Sequence, residues 1–132
     1  MTRLFLAVYA VLYLAFGVYA LLQPEALATL LGSPAMGGSG LYELRSNYGG
    51  VSLGAGTICL FGALRSTLQA PGLWFVLAYM GGYASGRIFA LFSGERPAEL
   101  LLAFGGFEAV TALVAAWLLW RRPAVLPDHS RT

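Results

Sequence analysis

The sequence has no lysine, one cysteine, one histidine and one aspartate, and 11% of its residues are charged, against roughly 25% in an ordinary soluble domain. Each scarcity excludes a class of chemistry. All eight basic residues are arginines, so there is no amine for a Schiff base with a carbonyl cofactor and no ammonium for a phosphate loop. A lone Cys59 excludes an internal disulfide and any paired-cysteine metal or redox motif. The one imidazole, His129, cannot supply bis-histidine haem ligation or a helix-borne zinc site within one chain. No metal and no cofactor is expected. Nor is a nucleic-acid partner, because the arginines are scattered along the chain instead of forming a basic face.

What fills the chain instead is apolar: 58% apolar side chains and 17 glycines in 132 residues, with a mean hydropathy of +0.72. One domain is expected, solvated mostly by lipid. Four uninterrupted apolar runs stand out, Leu4 to Leu22, Tyr48 to Leu64, Leu73 to Phe92 and Leu100 to Trp120. At 1.5 Å per residue they are roughly 25 to 32 Å long, matching a hydrocarbon core of about 30 Å. The second extends backward through Tyr42, so spans over residues 4–22, 42–64, 73–92 and 100–120 are predicted.

The fold class expected is therefore all-α, an integral membrane four-helix bundle over residues 1–122. Arg3 and the small residues Ala26-Leu27-Ala28 give the first run a superficial likeness to a secretory signal. Its length exceeds a typical signal core, and it is read as the first membrane helix. Pro24-Glu25 then opens a short helix with Leu27, Leu30 and Leu31 on one face, and Gly32 suits the position past its end, so an interfacial helix is predicted between the first and second spans. Residues 123–132 are expected to form a disordered cytoplasmic tail. Asp128-His129-Ser130 holds the residue types of a catalytic triad, but a loose tail cannot hold their geometry.

Charge orients the bundle. Arg3, Arg65, Arg121, Arg122 and Arg131 fall on one side of the membrane, and Arg45 and Arg96 on the other. Positive charge in short loops favours the cytoplasm, so both termini are expected there. Trp74, Trp117 and Trp120 fall at that same boundary, where indoles prefer to sit.

Two charges interrupt the spans, Arg87 in the third and Glu108 in the fourth. Each costs roughly 2.5 to 3.5 kcal/mol inside a bilayer even on a lenient scale, so each needs a partner. Arg87 lies about 7 Å and Glu108 about 12 Å from the outer helix ends, and the loop between the two helices is short. Antiparallel neighbours with a snorkelling arginine are expected to pair the two. On the second helix Glu43, Asn47, Gly50 and Gly54 share one stripe, and Arg45, Tyr48 or Gly49, Ser52 and Gly56 the other. The third helix shows stripes of Val76, Met80, Tyr83 and Arg87, and of Ala78, Gly82 and Ser85. On the fourth, Phe104, Gly105, Glu108, Thr111 and Ala115 cluster, with Thr111 a hydroxyl partner for Glu108.

A polar cluster of Glu43, Arg45, Asn47, Tyr48, Tyr83, Arg87 and Glu108, open toward the outer leaflet, is therefore the candidate site. Gly49, Gly50, Gly54, Gly82, Gly86 and Gly105 are the candidate helix-packing positions, and Cys59 a small core residue. The same Arg–Glu pair read structurally would fix helix register and nothing more.

The string Glu43-Leu44-Arg45-Ser46-Asn47-Tyr48-Gly49-Gly50, the preceding Pro24-Glu25, Gly86-Arg87 and Glu108 together resemble a small bacterial membrane family, the domain of unknown function 4345. The resemblance runs from the first span to Trp120, and Glu-x-Arg-x-x-Tyr-Gly-Gly is its most specific part. It implies a multi-pass membrane protein with four helices and no established activity. Glu43, Arg45, Tyr48, Gly49, Gly50, Arg87 and Glu108 match its motif positions, without a role attached to any.

The function expected from these residues is non-enzymatic: a small binding or accessory protein whose cluster recognises an amphiphile or a partner's membrane helix. Membrane lipids, a small amphiphile or another membrane protein are the partners, and a homo-oligomer is compatible with the glycine pairs. One alternative is a proton-coupled transporter acting as a homo-oligomer, which requires Glu108 to leave its partner. Another is an intramembrane lipid-modifying enzyme using Glu43 and Glu108 as an acid–base pair, which requires both carboxyl groups at one cavity. No catalytic residue is assigned.

Overall fold

The computed structural model describes residues 1–33 and 37–121, and the regular structure among them is entirely helical. The tail expected from residue 123 onward lies outside the described residues. In chain order the elements are α1 (Thr2–Leu22), α2 (Pro24–Leu30), α3 (Gly38–Leu44), a π-helical turn (Arg45–Gly50), α4 (Val51–Leu64), a 3-10 turn (Ser66–Leu68), α5 (Gln69–Phe92) and α6 (Glu99–Trp120).

Local chemistry explains the breaks. Pro24 takes the first position of α2, where its missing N–H has no intrahelical acceptor to lose. α2 stops where Gly32 adopts φ +80°, allowing the Ser33 N–H to reach back to the Ala28 carbonyl at 2.9 Å. Gly94 closes α5 in the same way at φ +97°, with the Glu95 N–H on the Ala90 carbonyl at 3.2 Å. Both positions need the left-handed conformation that glycine adopts without penalty.

Among the described residues three helical stretches are long and apolar enough to cross a membrane: Thr2–Leu22, Ser66–Phe92 and Glu99–Trp120. The remaining long segment differs. α4 has 14 residues, about 21 Å of helix, and attains membrane length only together with the π turn and α3, through which the chain is helical from Gly38 to Leu64.

One core draws on all four long segments: Leu6, Ala10 and Tyr13 of α1; Ala55 and Cys59 of α4; Leu73, Val76 and Met80 of α5; Ala112, Ala115 and Leu118 of α6. A second cluster, Ala20, Leu27, Ala28 and Leu44, fastens α2 and α3 beside the end of α1. Outward positions are also apolar, with Val11, Phe89 and Leu113 at 67%, 74% and 69% exposure, the pattern of a helix whose surroundings are as apolar as its core.

α1 and the α3–α4 segment interlock through leucines set on glycines. A Cβ on Gly56 would lie 2.6 Å from Leu14 Cγ, one on Gly49 2.6 Å from Leu21 Cδ2, and one on Gly17 2.9 Å from Leu53 Cδ2. Leu6 fills the corresponding place over Gly62. Of the glycines expected to pack helices, Gly49 sits in such a contact and Gly105 lies against Arg87 Cδ, whereas Gly54, Gly82 and Gly86 have open space where a Cβ would be. Helix rotation puts those three on the uncovered side.

On α5 Met80 is followed by Ala84 in the interior, while Tyr83, one of the candidate-cluster residues, is 36% exposed. Aromatic spacing supplies part of the remaining core. Phe5, Tyr9 and Tyr13 recur every four residues on α1, as do Phe75, Tyr79 and Tyr83 on α5, and the two rows meet edge to face at Tyr13 and Tyr79 with centroids 5.7 Å apart. Tyr9 shares a 2.6 Å hydrogen bond with Thr111, while the buried Tyr13 hydroxyl has no partner among the described residues. Thr111→Val is therefore expected to lower stability by about 1 kcal/mol, and Tyr13→Phe to leave it unchanged or raise it slightly, because an unsatisfied buried hydroxyl stabilises nothing. Thermal unfolding of both variants in one detergent checks this; a Tyr13→Phe loss as large as that of Thr111→Val contradicts it.

Candidate functional site

The polar residues gather at the end of the molecule where α5 finishes and α6 begins. α5 and α6 are packed neighbours joined by the short loop after Phe92, so residues near the end of one face residues near the start of the other. Arg87 and Glu108 meet there as a two-pronged pair: Arg87 Nε donates to Glu108 Oε2 at 2.6 Å and Nη2 to Oε1 at 2.8 Å. Fork-to-fork geometry uses both carboxylate oxygens and fixes the plane of the guanidinium. Glu108 is buried, with its side chain 11% exposed, and the Arg87 side chain is 33% exposed. Gly105, one turn before Glu108, leaves room for the arginine stem, as a Cβ there would lie 3.1 Å from Arg87 Cδ. The pairing expected from depth and loop length is present.

Thr111 is not the partner of Glu108 that its spacing suggests. Its hydroxyl donates to the Phe107 carbonyl at 2.7 Å and accepts from Tyr9. The carboxylate is already occupied on both oxygens, and a hydroxyl one turn away has a nearer backbone acceptor.

Arg87 stands at the junction of three clefts. One, about 320 Å3, runs between α5 and α6 and is lined mostly by apolar groups including Ala84, Ile88, Leu91, Leu102 and Gly106. A second, about 310 Å3, is more polar and brings Arg87 together with Glu43, Asn47, Tyr48 and Ser33. A third is a wide groove along α5, bounded by Tyr48, Tyr79, Gly82, Tyr83 and Gly86. The open space at Gly82 and Gly86 is the floor of that groove.

Within the polar cleft Asn47 Nδ2 donates to Glu43 Oε2 at 2.9 Å, a pairing set by their four-residue separation. Tyr48 is held edge-on against Phe16, with centroids 6.4 Å apart. Tyr83 joins through the groove it shares with Tyr48 and Arg87. Glu108 lies beneath Arg87 and lines none of these three clefts.

Arg45 does not join the others. Its Nε donates to the Leu21 carbonyl at 3.2 Å, one of the last carbonyls of α1 that no helical N–H reaches. A cation at a helix C-terminus is favoured there, and Arg45 fastens the π turn to α1. The convergence expected of all the polar residues thus holds for Glu43, Asn47, Tyr48, Tyr83 and Arg87, with Glu108 behind, and fails for Arg45, because the tight seat of Gly49 on Leu21 brings the end of α1 within reach.

Chemically, the arrangement holds opposite charges side by side. Glu43 lines the polar cleft and Glu108 none of these three, so these clefts lend no support to an acid–base pair between them. Among the described residues no group of three or more His, Cys, Asp and Glu side chains could hold a metal ion. Tyr9, Tyr13 and Tyr79 fall outside the candidate residues read from the sequence, although their four-residue spacing on each helix is an available signal.

No curated protein and no solved structure matches the chain. The family model described as "Domain of unknown function (DUF4345)" matches residues 1–119, nearly the whole chain, and the protein belongs to that family.

Proposed function

We propose that this is a multi-pass bacterial inner-membrane protein whose four long helical segments each cross the bilayer, with both termini cytoplasmic, and whose Arg87-centred clefts bind an amphiphile. The orientation is supported by charge. Among the described residues Arg3, Arg65 and Arg121 lie at one set of helix ends with no acidic residue beside them, whereas Glu25, Glu43, Glu95 and Glu99 stand with Arg45 and Arg96 at the other. Trp74 and Trp120 are exposed at the arginine-rich ends, and Arg121 stacks on Trp117 with Cζ 4.2 Å from the ring centre. α2, with its apolar face on α1 and α3, serves as the short interfacial helix on the outer side.

The observation that carries the binding reading is the position of Arg87. One edge of its guanidinium is held by Glu108, the Nη1 group has no acceptor among the described residues, and the side chain divides an apolar pocket from a polar one. An amphiphile presents that same division, with Arg87 at the junction of head and tail. The two-pronged grip on Glu108 runs against a transporter that cycles this carboxylate through a proton.

Native mass spectrometry of gently extracted protein tests this. A bound small molecule is expected on the wild type and lost in Arg87→Ala, with helical content and subunit count unchanged. Arg87→Lys, which keeps the charge and loses the fork, is expected to retain only part of it. Wild-type protein that arrives without any bound mass, and acquires none when amphiphiles are added, overturns the proposal.

A further inference from the structure

We infer that the amphiphile is a phospholipid with a primary ammonium in its headgroup, the phosphate on Arg87 and the ammonium on Glu43, Asn47 and Tyr48. This rests on the amphiphile-binding reading above and adds the headgroup class. Glu43 and Arg87 are the two charged residues lining the polar cleft. The charge of Arg87 is already balanced by Glu108 behind it, so Glu43 leaves the cleft one negative charge in excess. A purely anionic headgroup meets that excess unfavourably. A purely cationic one leaves Arg87 Nη1 without an acceptor among the described residues. A headgroup carrying phosphate and ammonium together satisfies both sides.

The hydrogen-bond inventory narrows the ammonium further. Asn47 Nδ2 gives one of its two N–H groups to Glu43 Oε2. Glu43 Oε1, Asn47 Oδ1 and the Tyr48 hydroxyl remain as acceptors around one cleft. A primary ammonium has three N–H donors and no acceptor, which matches them; a trimethylated nitrogen has no donor at all. Arg87 also lines the mostly apolar pocket with Ile88, Leu91 and Leu102, where an acyl chain begins, and Glu95 is its one other charged lining residue. Arg87 is five residues before the end of α5, about 7 Å inside it, the depth at which headgroup gives way to chain.

The test loads full-length protein into nanodiscs of phosphatidylethanolamine, phosphatidylcholine and phosphatidylglycerol in equal parts with identical acyl chains. Native mass spectrometry then reads which lipid stays bound. Wild type is expected to retain the ethanolamine lipid about tenfold over either other, an ordinary return for matched charged hydrogen bonds. Glu43→Gln is expected to bring it down to the choline level while total phospholipid retention is kept, and Arg87→Lys to reduce all three. Asn47→Ala, at an exposed position, provides a second variant that lowers the same preference. Equal retention of the three lipids by wild type overturns the headgroup assignment alone, as does a preference that survives Glu43→Gln. Retention of no phospholipid, with another bound molecule lost in Arg87→Ala, does the same and leaves the amphiphile reading standing; no bound amphiphile of any kind removes both.

Discussion

Removing either partner of the Arg87–Glu108 pair by Arg87→Met or Glu108→Leu is expected to lower stability by about 3 kcal/mol, while the double variant recovers most of that loss. The reason is the asymmetry between an ion pair and a solitary ion in an apolar medium. The pair joins two nitrogens to two oxygens at 2.6 and 2.8 Å, so each charge is solvated by the other. Deleting the arginine strands a buried carboxylate. Deleting the carboxylate strands an arginine that is two-thirds covered, which recovers part of its cost by snorkelling, so Arg87→Met is the more damaging single change. Replacing both leaves apolar groups in apolar surroundings. A thermal-unfolding cycle over the four proteins in one detergent measures the coupling, and singles that each cost under about 0.5 kcal/mol contradict a buried, mutually dependent pair.

The double variant also separates architecture from recognition. It restores packing but removes the guanidinium that the amphiphile needs, so it is expected to be folded and empty. A double variant that still carries the wild-type bound mass places the ligand somewhere other than Arg87.

The second large effect concerns the α1–α4 seam. Gly56→Val is expected to destabilise by about 3 kcal/mol, at the upper end of the usual overpacking cost, whereas Gly54→Ala is expected to be neutral or to gain up to about 1 kcal/mol from helix propensity. Beneath Gly56 a new Cβ meets Leu14 Cγ at 2.6 Å and the Leu14 backbone nitrogen at 3.0 Å. A rotamer change moves the first atom but not the second, so the helices must separate. That opens the matching contacts of Gly17 with Leu53 and Gly49 with Leu21 along the same seam. Gly54 has open space around its missing Cβ. Parallel melting of the two variants decides it, and equal effects mean that α1 does not seat on this face of α4.

Much of the site is legible in the order of residues because long apolar helices convert spacing into level along the helix axis. Arg87 and Glu108 stand at similar levels on helices joined by a short loop, and an unpaired charge in lipid is so unfavourable that their meeting follows. Glu43 and Asn47, four residues apart, share a face of any helix that contains them. The ends of α2 are set by Pro24 and Gly32, whose backbone preferences act without reference to the rest of the chain.

Other features depend on how the helices rotate against one another. Gly54 and Gly56 are two residues apart with the same chemistry, yet only Gly56 lies under a leucine. Thr111 bonds to Tyr9 from the far end of the chain, a partner no local spacing names. Arg45 follows the motif residue Glu43 by two positions but turns to the Leu21 carbonyl, because the π turn at Arg45–Gly50 and the seat of Gly49 bring the end of α1 beside it. Hydropathy and periodicity along single helices are enough to dictate the helical class, the membrane-length stretches of α1, α5 and α6, and the charged pair. Which glycines are covered, which arginine faces the cleft and where the apolar and polar pockets join are settled only in the assembled bundle, because they depend on contacts between helices that no single helix encodes.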